Sequence, residues 1–328
     1  MKLQKITKFI QRGFEILTMK GGFHQIEKDL KKRYYTSTEK KDIHSTSIIV
    51  MVDGKYVHGG LSDRIRGITS IYHFCKDHQI PFYLNYTYPF KMEDYLEPNL
   101  YNWKIAQQEI SYHPEESEPV ILTLDQVPSK LHRLYLNRLL QKHPKKQLHI
   151  YTNTLLEDRH YSKDFEELFK PSKRLQKSLT EHANQLPHSY IAMVFRFQQL
   201  LGDFKEDGYK ILSPNERETL IEKCIQKVEE IHSLQHPDKQ VLITSDSTTF
   251  LERICQAKEY VHIIPGKVVH MDYTHNAAYE IYMKSFLDML LLSAADKIYL
   301  LQTEDMYHSG FAKRAALLKN KPYDEIFF

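Results

Sequence analysis

The 328-residue sequence predicts an α/β protein built from two Rossmann-like domains, and the pattern of its apolar residues carries that expectation. Short apolar runs of strand length alternate with longer segments whose apolar residues recur at helical spacing. The runs are continuously hydrophobic, as expected of parallel strands covered on both faces. The series occurs twice, with a break near residues 185–189. The expected organisation is therefore a basic helical segment, 1–46, followed by domains 47–186 and 187–328.

In the first series, SIIVMV at residues 47–52 reads as a buried strand. A glycine turn leads to a helix with Ile65, Ile68, Ile71, Tyr72 and Cys75 on one face. Strands are expected at 81–84, 120–122 and 148–151, then a polar, helix-rich stretch at 164–184. The second series gives a strand at 190–196, a long amphipathic helix at 216–231 and a strand at 241–244. Helix 249–257, strand 261–264, helix 279–293, strand 297–301 and helix 311–318 complete it. In sheets of this kind ligands gather at the carboxyl ends of the strands, so two facing domains place the expected site in the cleft between them.

Composition narrows the partners. The chain carries 45 Lys and Arg against 42 Asp and Glu, a balance too even for a dedicated duplex-binding domain. Cys75, Cys224 and Cys255 are too few to pair completely and lack metal-site spacing, so all three are expected as small core hydrophobes in a reducing, cytoplasmic setting. The eighteen histidines show no ligand spacing. No apolar run is long enough to span a bilayer, and the N-terminus lacks the uninterrupted apolar core of a signal peptide. In that N-terminal stretch Ile6, Phe9, Ile10, Phe14 and Leu17 recur at helical spacing among basic residues. Two readings stand for residues 1–20: a helix packed on the body, or one lying on an anionic membrane surface.

Several chemistries lose their sequence support. There is no G-x-G-x-x-G after the first strand, no Walker-type loop, no H-E-x-x-H and no G-x-S-x-G. D-x-D is also absent, so a nucleoside diphosphate bound here would be neutralised by Arg, Lys and backbone N–H groups.

Three segments carry chemistry. The first, HGGLSDRIRG at residues 58–67, directly follows the first strand. Gly59 and Gly60 let backbone approach a ligand, Ser62 or Asp63 can cap the next helix, and Arg64 and Arg66 add cations. The second is strand 190–196, whose carboxyl end delivers Arg196, a planar fork suited to a phosphate. The third is in two pieces: Thr244, Ser245 and Asp246 at a strand end, and Ser309–Gly310 at a helix start that favours an anion. Each has a plain structural reading as well: a capped strand–turn–helix corner, an arginine paired with a carboxylate such as Asp203, and ordinary αβ loops.

Taken together and in this order, the segments resemble the inverting fucosyltransferase superfamily, which includes α1,2- and α1,6-fucosyltransferases, nodulation fucosyltransferases and protein O-fucosyltransferases. Residues 59–67, GGLSDRIRG, are similar to that group's N-terminal glycine loop, and VFR at 194–196 to its H-x-R motif. TSD at 244–246 matches its second donor motif. SGFA at 309–312, with Lys321 and Pro322 downstream, looks like the third. The aromatic stretch 95–103 also resembles the segment after the second strand in these enzymes. Two departures stand out: Val194 replaces the histidine of H-x-R, and residues 304–310 replace a G-S-x-x-S loop.

The resemblance implies a GT-B-like fold of two facing Rossmann-like domains, the first on the acceptor side and the second on the donor side. It implies a glycosyltransferase of polysaccharide biosynthesis that moves fucose from GDP-fucose to a glycan or glycolipid acceptor with inversion. Neither a metal nor another cofactor is expected, nor is nucleic acid. Arg196 is expected at the diphosphate and Asp63 as catalytic base. Gly59, Gly60, Arg64, Ser245, Asp246, Ser309 and Gly310 are expected around the donor. Two alternatives remain: a transferase using another nucleotide sugar, or a non-catalytic nucleotide- or glycan-binding member of the same fold.

Overall fold

A computed structural model describes residues 22–122, 129–204, 210–272, 274 and 277–328. The basic stretch 1–20, with its two readings, lies outside the described residues. The chain divides into two compact units. Among the described residues, one comprises 22–59, 63–93 and 97–170; the other comprises 60–62, 94–96 and 171–328.

The first unit opens with helix α1 (Gly22–Tyr34) and strand β1 (Ser47–Val52), followed by α2 (Leu61–His78) and β2 (Phe82–Tyr86). After β3 (Leu96–Pro98) come β4 (Ser117–Leu122), α3 (Ser129–Lys142), β5 (Gln147–Thr152), α4 (Tyr161–Leu168) and β6 (Phe169–Pro171). β2, β1, β5 and β4 form a sheet in that order, with every pairing parallel. β1 and β5 are buried along their whole length, as the continuous hydrophobic run at 47–52 requires. Leu30 and Tyr34 of α1 pack with Ile49, Met51, Ile121 and Tyr151 from one face of the sheet. α2 starts at Leu61, so Ser62 and Asp63 lie inside its first turn and not at the cap position expected for them.

A buried polar thread runs through this core. The Tyr34 hydroxyl lies 2.6 Å from Nδ1 of His149, whose Nε2 is 3.1 Å from Oε1 of Gln147. Gln147 Oε1 can only accept, so Nε2 carries the ring proton and Tyr34 donates to Nδ1. Burial drives the imidazole down to about 3, which keeps it neutral in the folded state.

The second unit contains α5 (Lys173–Ala183), β7 (Tyr190–Phe195), α6 (Pro214–Gln235), β8 (Gln240–Ser245) and α7 (Thr248–Ala257). β9 (Val261–Ile263), α8 (Tyr279–Ala294), β10 (Lys297–Gln302), α9 (Phe311–Leu318) and β11 (Tyr323–Phe327) come next. Its five-stranded sheet has the order β11-β10-β7-β8-β9, again parallel throughout. Strand order thus runs outward from β7 to β9 on one side, then returns to β10 on the other. That reversal between β7 and β10 is a topological switch point, where the carboxyl ends of the strands leave a crevice. Ile191, Met193, Phe195, Val241, Ile243, Tyr299 and Leu301 share one core cluster with residues of α6 and α7.

The mixed α/β class with parallel sheets is the one the sequence predicts. Three strands and one helix lie beyond the sequence expectation. β3 and β6 are three residues each and pair as a separate two-stranded sheet. β11 reads YDEIF, too charged to register as a buried run, because it is an edge strand. α3 occupies residues 129–142, between two expected strands. Cysteine placement also differs: Cys75 and Cys224 are buried, but Cys255 is exposed on the outer side of α7. Of the aromatic rings at 95–103, Tyr95 and Trp103 are buried and Tyr101 is half-buried, and the Trp103 indole N–H donates to the Leu168 carbonyl at 2.7 Å. Tyr95 stacks nearly parallel on both Tyr279 and Phe286, at 4.5 and 4.6 Å. Among the described residues no helix is long and apolar enough to cross a membrane.

Two outcomes test this packing. A Cβ at Gly67 would sit 2.6 Å from the Thr152 carbonyl oxygen, whereas one at Gly60 would meet nothing within 4 Å. Gly67→Ala is expected to cost ~2 kcal/mol by overpacking α2 against β5, with Gly60→Ala close to neutral, read from denaturant midpoints. The second outcome concerns His149. Its folded pKa lies below the unfolded value, so the unfolded chain binds the extra proton and stability falls as pH drops from 6.5 toward 3. His149→Asn is expected to flatten the wild-type slope of stability between pH 6.5 and 4.5 by about one proton.

Candidate active site

In the second unit the site grows from strand register. β7 pairs with β8 so that Val194 meets Thr244 and Phe195 meets Ser245. On its other side Val194 meets Leu300 of β10. Two residues further along, Arg196, Asp246 and Gln302 lie abreast at the carboxyl ends of the three central strands. Phe195 and Leu301 point into the cluster under α6 and α7, so alternation turns this row toward the opposite face.

Arg196 is held from several directions. Its Nη1 lies 3.0 Å from Oδ2 of Asp246, whose side chain is almost fully buried while that of Arg196 is 19% exposed. The guanidinium carbon sits 4.4 Å from the centre of the Phe204 ring. Asp246 also receives the backbone N–H of Phe197 at 2.8 Å and of Gln198 at 2.7 Å. These bonds fix the chain reversal after β7, in which Gln198 takes a left-handed φ of 52°. Burial raises the Asp246 carboxyl above the ordinary carboxylate range, against the opposing pull of Arg196 and the two backbone donors. Asp203, the carboxylate that the plain structural reading pairs with Arg196, instead serves the start of α7. Its Oδ2 receives the Thr249 N–H at 2.9 Å and the hydroxyls of Ser247 and Thr248.

The other expected residues of this unit lie around the same strand ends. The Ser245 hydroxyl receives the Ser247 N–H at 3.1 Å and lies 3.4 Å from Asp246. The loop after β10 returns beside Arg196, the N–H of Tyr307 donating to its carbonyl at 3.2 Å. Ser309 Oγ takes the Phe311 N–H at 3.2 Å, and Gly310 occupies the cap of α9. No atom lies within 4 Å of where a Gly310 side chain would begin, so the helix start is open. Buried Ala312, Ala315 and Ala316 bring α9 close to its neighbours.

Sequence reasoning missed Gln302 and Thr303. Gln302 is 1% exposed, yet neither its amide nitrogen nor its amide oxygen has a hydrogen-bond partner among the described residues. The Thr303 hydroxyl is buried in the same condition. It also missed the pair buried within α8, where Lys284 Nζ reaches both Asp288 oxygens at 2.5 and 2.6 Å. Gln302 stands out only once strand register is counted; the i,i+4 spacing was the one sequence signal for the α8 pair.

In the first unit the glycine loop comes after β1. Gly59 has φ +82°, a left-handed backbone that favours glycine, and the Asp63 carboxylate lies beside it, its Oδ2 2.9 Å from where a Cβ would sit. Arg64 is buried and turned inward: Nε donates to the Gly59 carbonyl at 2.9 Å, and Nη1 to the Tyr86 hydroxyl and the Tyr88 carbonyl. Arg66 donates to the Asn153 carbonyl at 2.6 Å and pairs with Asp63 at 3.3 Å. Asp63 keeps a side chain 40% exposed. Nearby, His58 is buried against Tyr151 and lies 3.3 Å from the Thr152 carbonyl. Among the described residues no group of three His, Cys, Asp or Glu side chains is arranged to hold a metal ion.

No protein-family model matches the sequence, and no curated protein matches it by sequence. Solved structures do match. NodZ α-1,6-fucosyltransferase soaked with GDP-fucose aligns at 10% identity and a TM-score of 0.54, over 84% of this chain and 92% of NodZ. NodZ from Bradyrhizobium gives 11% identity with the same TM-score and coverage. A variant of Arabidopsis thaliana FUT1 in complex with GDP gives 14% identity and a TM-score of 0.50, over 97% of this chain and 78% of that one. The chain has the fold of these fucosyltransferases. Within the fucosyltransferase fold, Val194 lies buried in mid-sheet between Thr244 and Leu300, directly below the polar row.

Because Asp246 anchors both Arg196 and two backbone donors, its loss strands all three. Asp246→Ala is expected to destabilise the protein by ~3 kcal/mol. The double variant Arg196→Met with Asp246→Leu is expected to recover only part of that loss, by calorimetry, since the two N–H groups stay unpaired.

Proposed function

We infer that the protein is a fucosyltransferase-like glycosyltransferase that moves fucose from GDP-fucose to a glycan or glycolipid acceptor with inversion, without a metal. The observation that carries this reading is Arg196 at the switch point of the second sheet. It is ion-paired beneath, backed by an aromatic ring and set beside a loop that leads to an open helix start. The chain shares its fold with NodZ, solved after soaking with GDP-fucose.

In this reading the second unit holds the donor and the first is the acceptor side. The guanidinium fork and the N–H groups at the start of α9 neutralise the diphosphate as it departs. A bond forms from the acceptor oxygen to C1 of fucose while the C1–phosphate oxygen bond breaks, and the acceptor proton passes to a carboxylate. Asp63 is the candidate base, its orientation fixed by Arg66. Gly59 and Gly60 supply backbone that a ligand can approach. Arg64 acts on that loop and not on the donor directly, through the Gly59 carbonyl. Asp246 positions Arg196, with Ser245 beside it, and Ser309 and Gly310 form the anion-binding turn. The cytoplasmic setting expected from the sequence belongs to this reading, and for residues 1–20 both expectations stand, a helix packed on the body or one on an anionic membrane surface.

Val194 favours a second reading, donor binding without turnover, because an imidazole the resemblance places near the donor is replaced by an alkyl group. Thermal shift and GDP release separate the two. GDP and GDP-fucose are expected to raise the melting temperature equally with and without EDTA, and GDP-fucose to be turned over in the presence of a glycan acceptor. Arg196→Ala is expected to weaken GDP binding ~10-fold or more. Stabilisation without GDP release leaves the second reading, and no response to any guanine nucleotide overturns both.

A further inference from the structure

Gln302 presents a chemical problem that the fold alone does not answer. An amide carries two donors and an acceptor, and burying them without partners costs free energy at each atom. Here three buried polar atoms with no partner among the described residues occur in consecutive residues: Gln302 Nε2, Gln302 Oε1 and Thr303 Oγ1. They sit at the carboxyl end of β10, one strand from Arg196. Register carries Gln302 level with Arg196, because Val194 pairs with Leu300 two residues earlier. Neighbouring strands run about 4.8 Å apart, so the backbone positions of the two residues lie about one strand spacing apart.

Resting on the donor reading above, we propose that Gln302 and Thr303 form a hydroxyl-reading subsite for the hexose of the nucleotide sugar. A phosphate offers acceptors only; it would satisfy Nε2 but leave Oε1 facing another anion. A pyranose offers hydroxyl groups that both donate and accept, so adjacent hydroxyls satisfy the amide nitrogen, the amide oxygen and the Thr303 hydroxyl together. The hexose is bonded directly to the terminal phosphate, whereas the base is separated from it by the ribose and the other phosphate. In this proposal the hexose, bonded to the phosphate held by Arg196, lies at the β10 end, where Gln302 and Thr303 have unmet donors and acceptors. A site built to bond hydroxyls discriminates strongly against ligands that lack them, so these two residues set donor identity.

The test compares GDP with GDP-fucose by isothermal titration on the full chain. Gln302→Leu is expected to lower GDP-fucose affinity ~10-fold while GDP affinity stays within about twofold. The same variant is expected to melt at or above the wild-type temperature without ligand, because a buried unpartnered amide has been removed. Thr303→Val, nearly the same shape, is expected to act in the same direction and keeps the test decisive should Gln302→Leu fold poorly. Equal losses for GDP and GDP-fucose would move the contact to the nucleoside or phosphates and overturn the hexose assignment. Unchanged affinity for both, with a lower melting temperature, would show a purely structural amide and also overturn it. Wild-type protein that binds neither ligand would remove the donor reading and this inference with it.

Discussion

Asp246 is the carboxylate on which the second sheet's functional end depends. A buried carboxylate is costly unless it is bonded on every side, and here Arg196 and two successive backbone N–H groups supply those bonds. One side chain thereby fixes three things: the chain reversal after β7, the left-handed Gln198 and the height of the guanidinium. The aromatic face of Phe204 limits the remaining freedom of the fork. Under the proposed function, a guanidinium held in this way loses little freedom when a phosphate arrives, the arrangement that preorganised electrostatics requires.

The first unit solves a related problem by different means. Its loop after β1 is held by an inward arginine, Arg64, and by the absence of side chains at Gly59 and Gly67. Gly67 lets α2 lie against the β5 backbone, and Gly59 gives the Asp63 carboxylate room beside the main chain. The result is an acidic residue near solvent at a helix start, with Arg66 beside it. The two units therefore differ in charge at their strand ends: one displays a cation supported by a buried anion, the other an anion supported by a cation.

Much of this was legible in the sequence, and the failures have physical causes. Continuous apolar runs such as 47–52 and 190–195 marked the central strands, because a strand covered on both faces has no polar side to hide its signal. Edge and very short strands gave no such signal: β11 carries Asp324 and Glu325, and β3 and β6 end in proline. Arg196, Asp246, Ser309 and the glycine loop were singled out from type and position, and the structure pairs Arg196 with Asp246 at the carboxyl end of the second sheet. Their division of labour was not legible, since whether Arg64 faces a ligand or the Gly59 carbonyl depends on side-chain direction. Gln302 was invisible for another reason: an ordinary glutamine at a strand end becomes notable only when register and burial are known.

A crystal structure of the full chain grown with GDP-fucose decides whether Arg196 and the start of α9 hold the diphosphate. The diphosphate is expected within hydrogen-bonding distance of the Arg196 guanidinium and the N–H groups at the start of α9. A nucleotide bound elsewhere, with Arg196 still engaged only by Asp246 and Phe204, would contradict that claim.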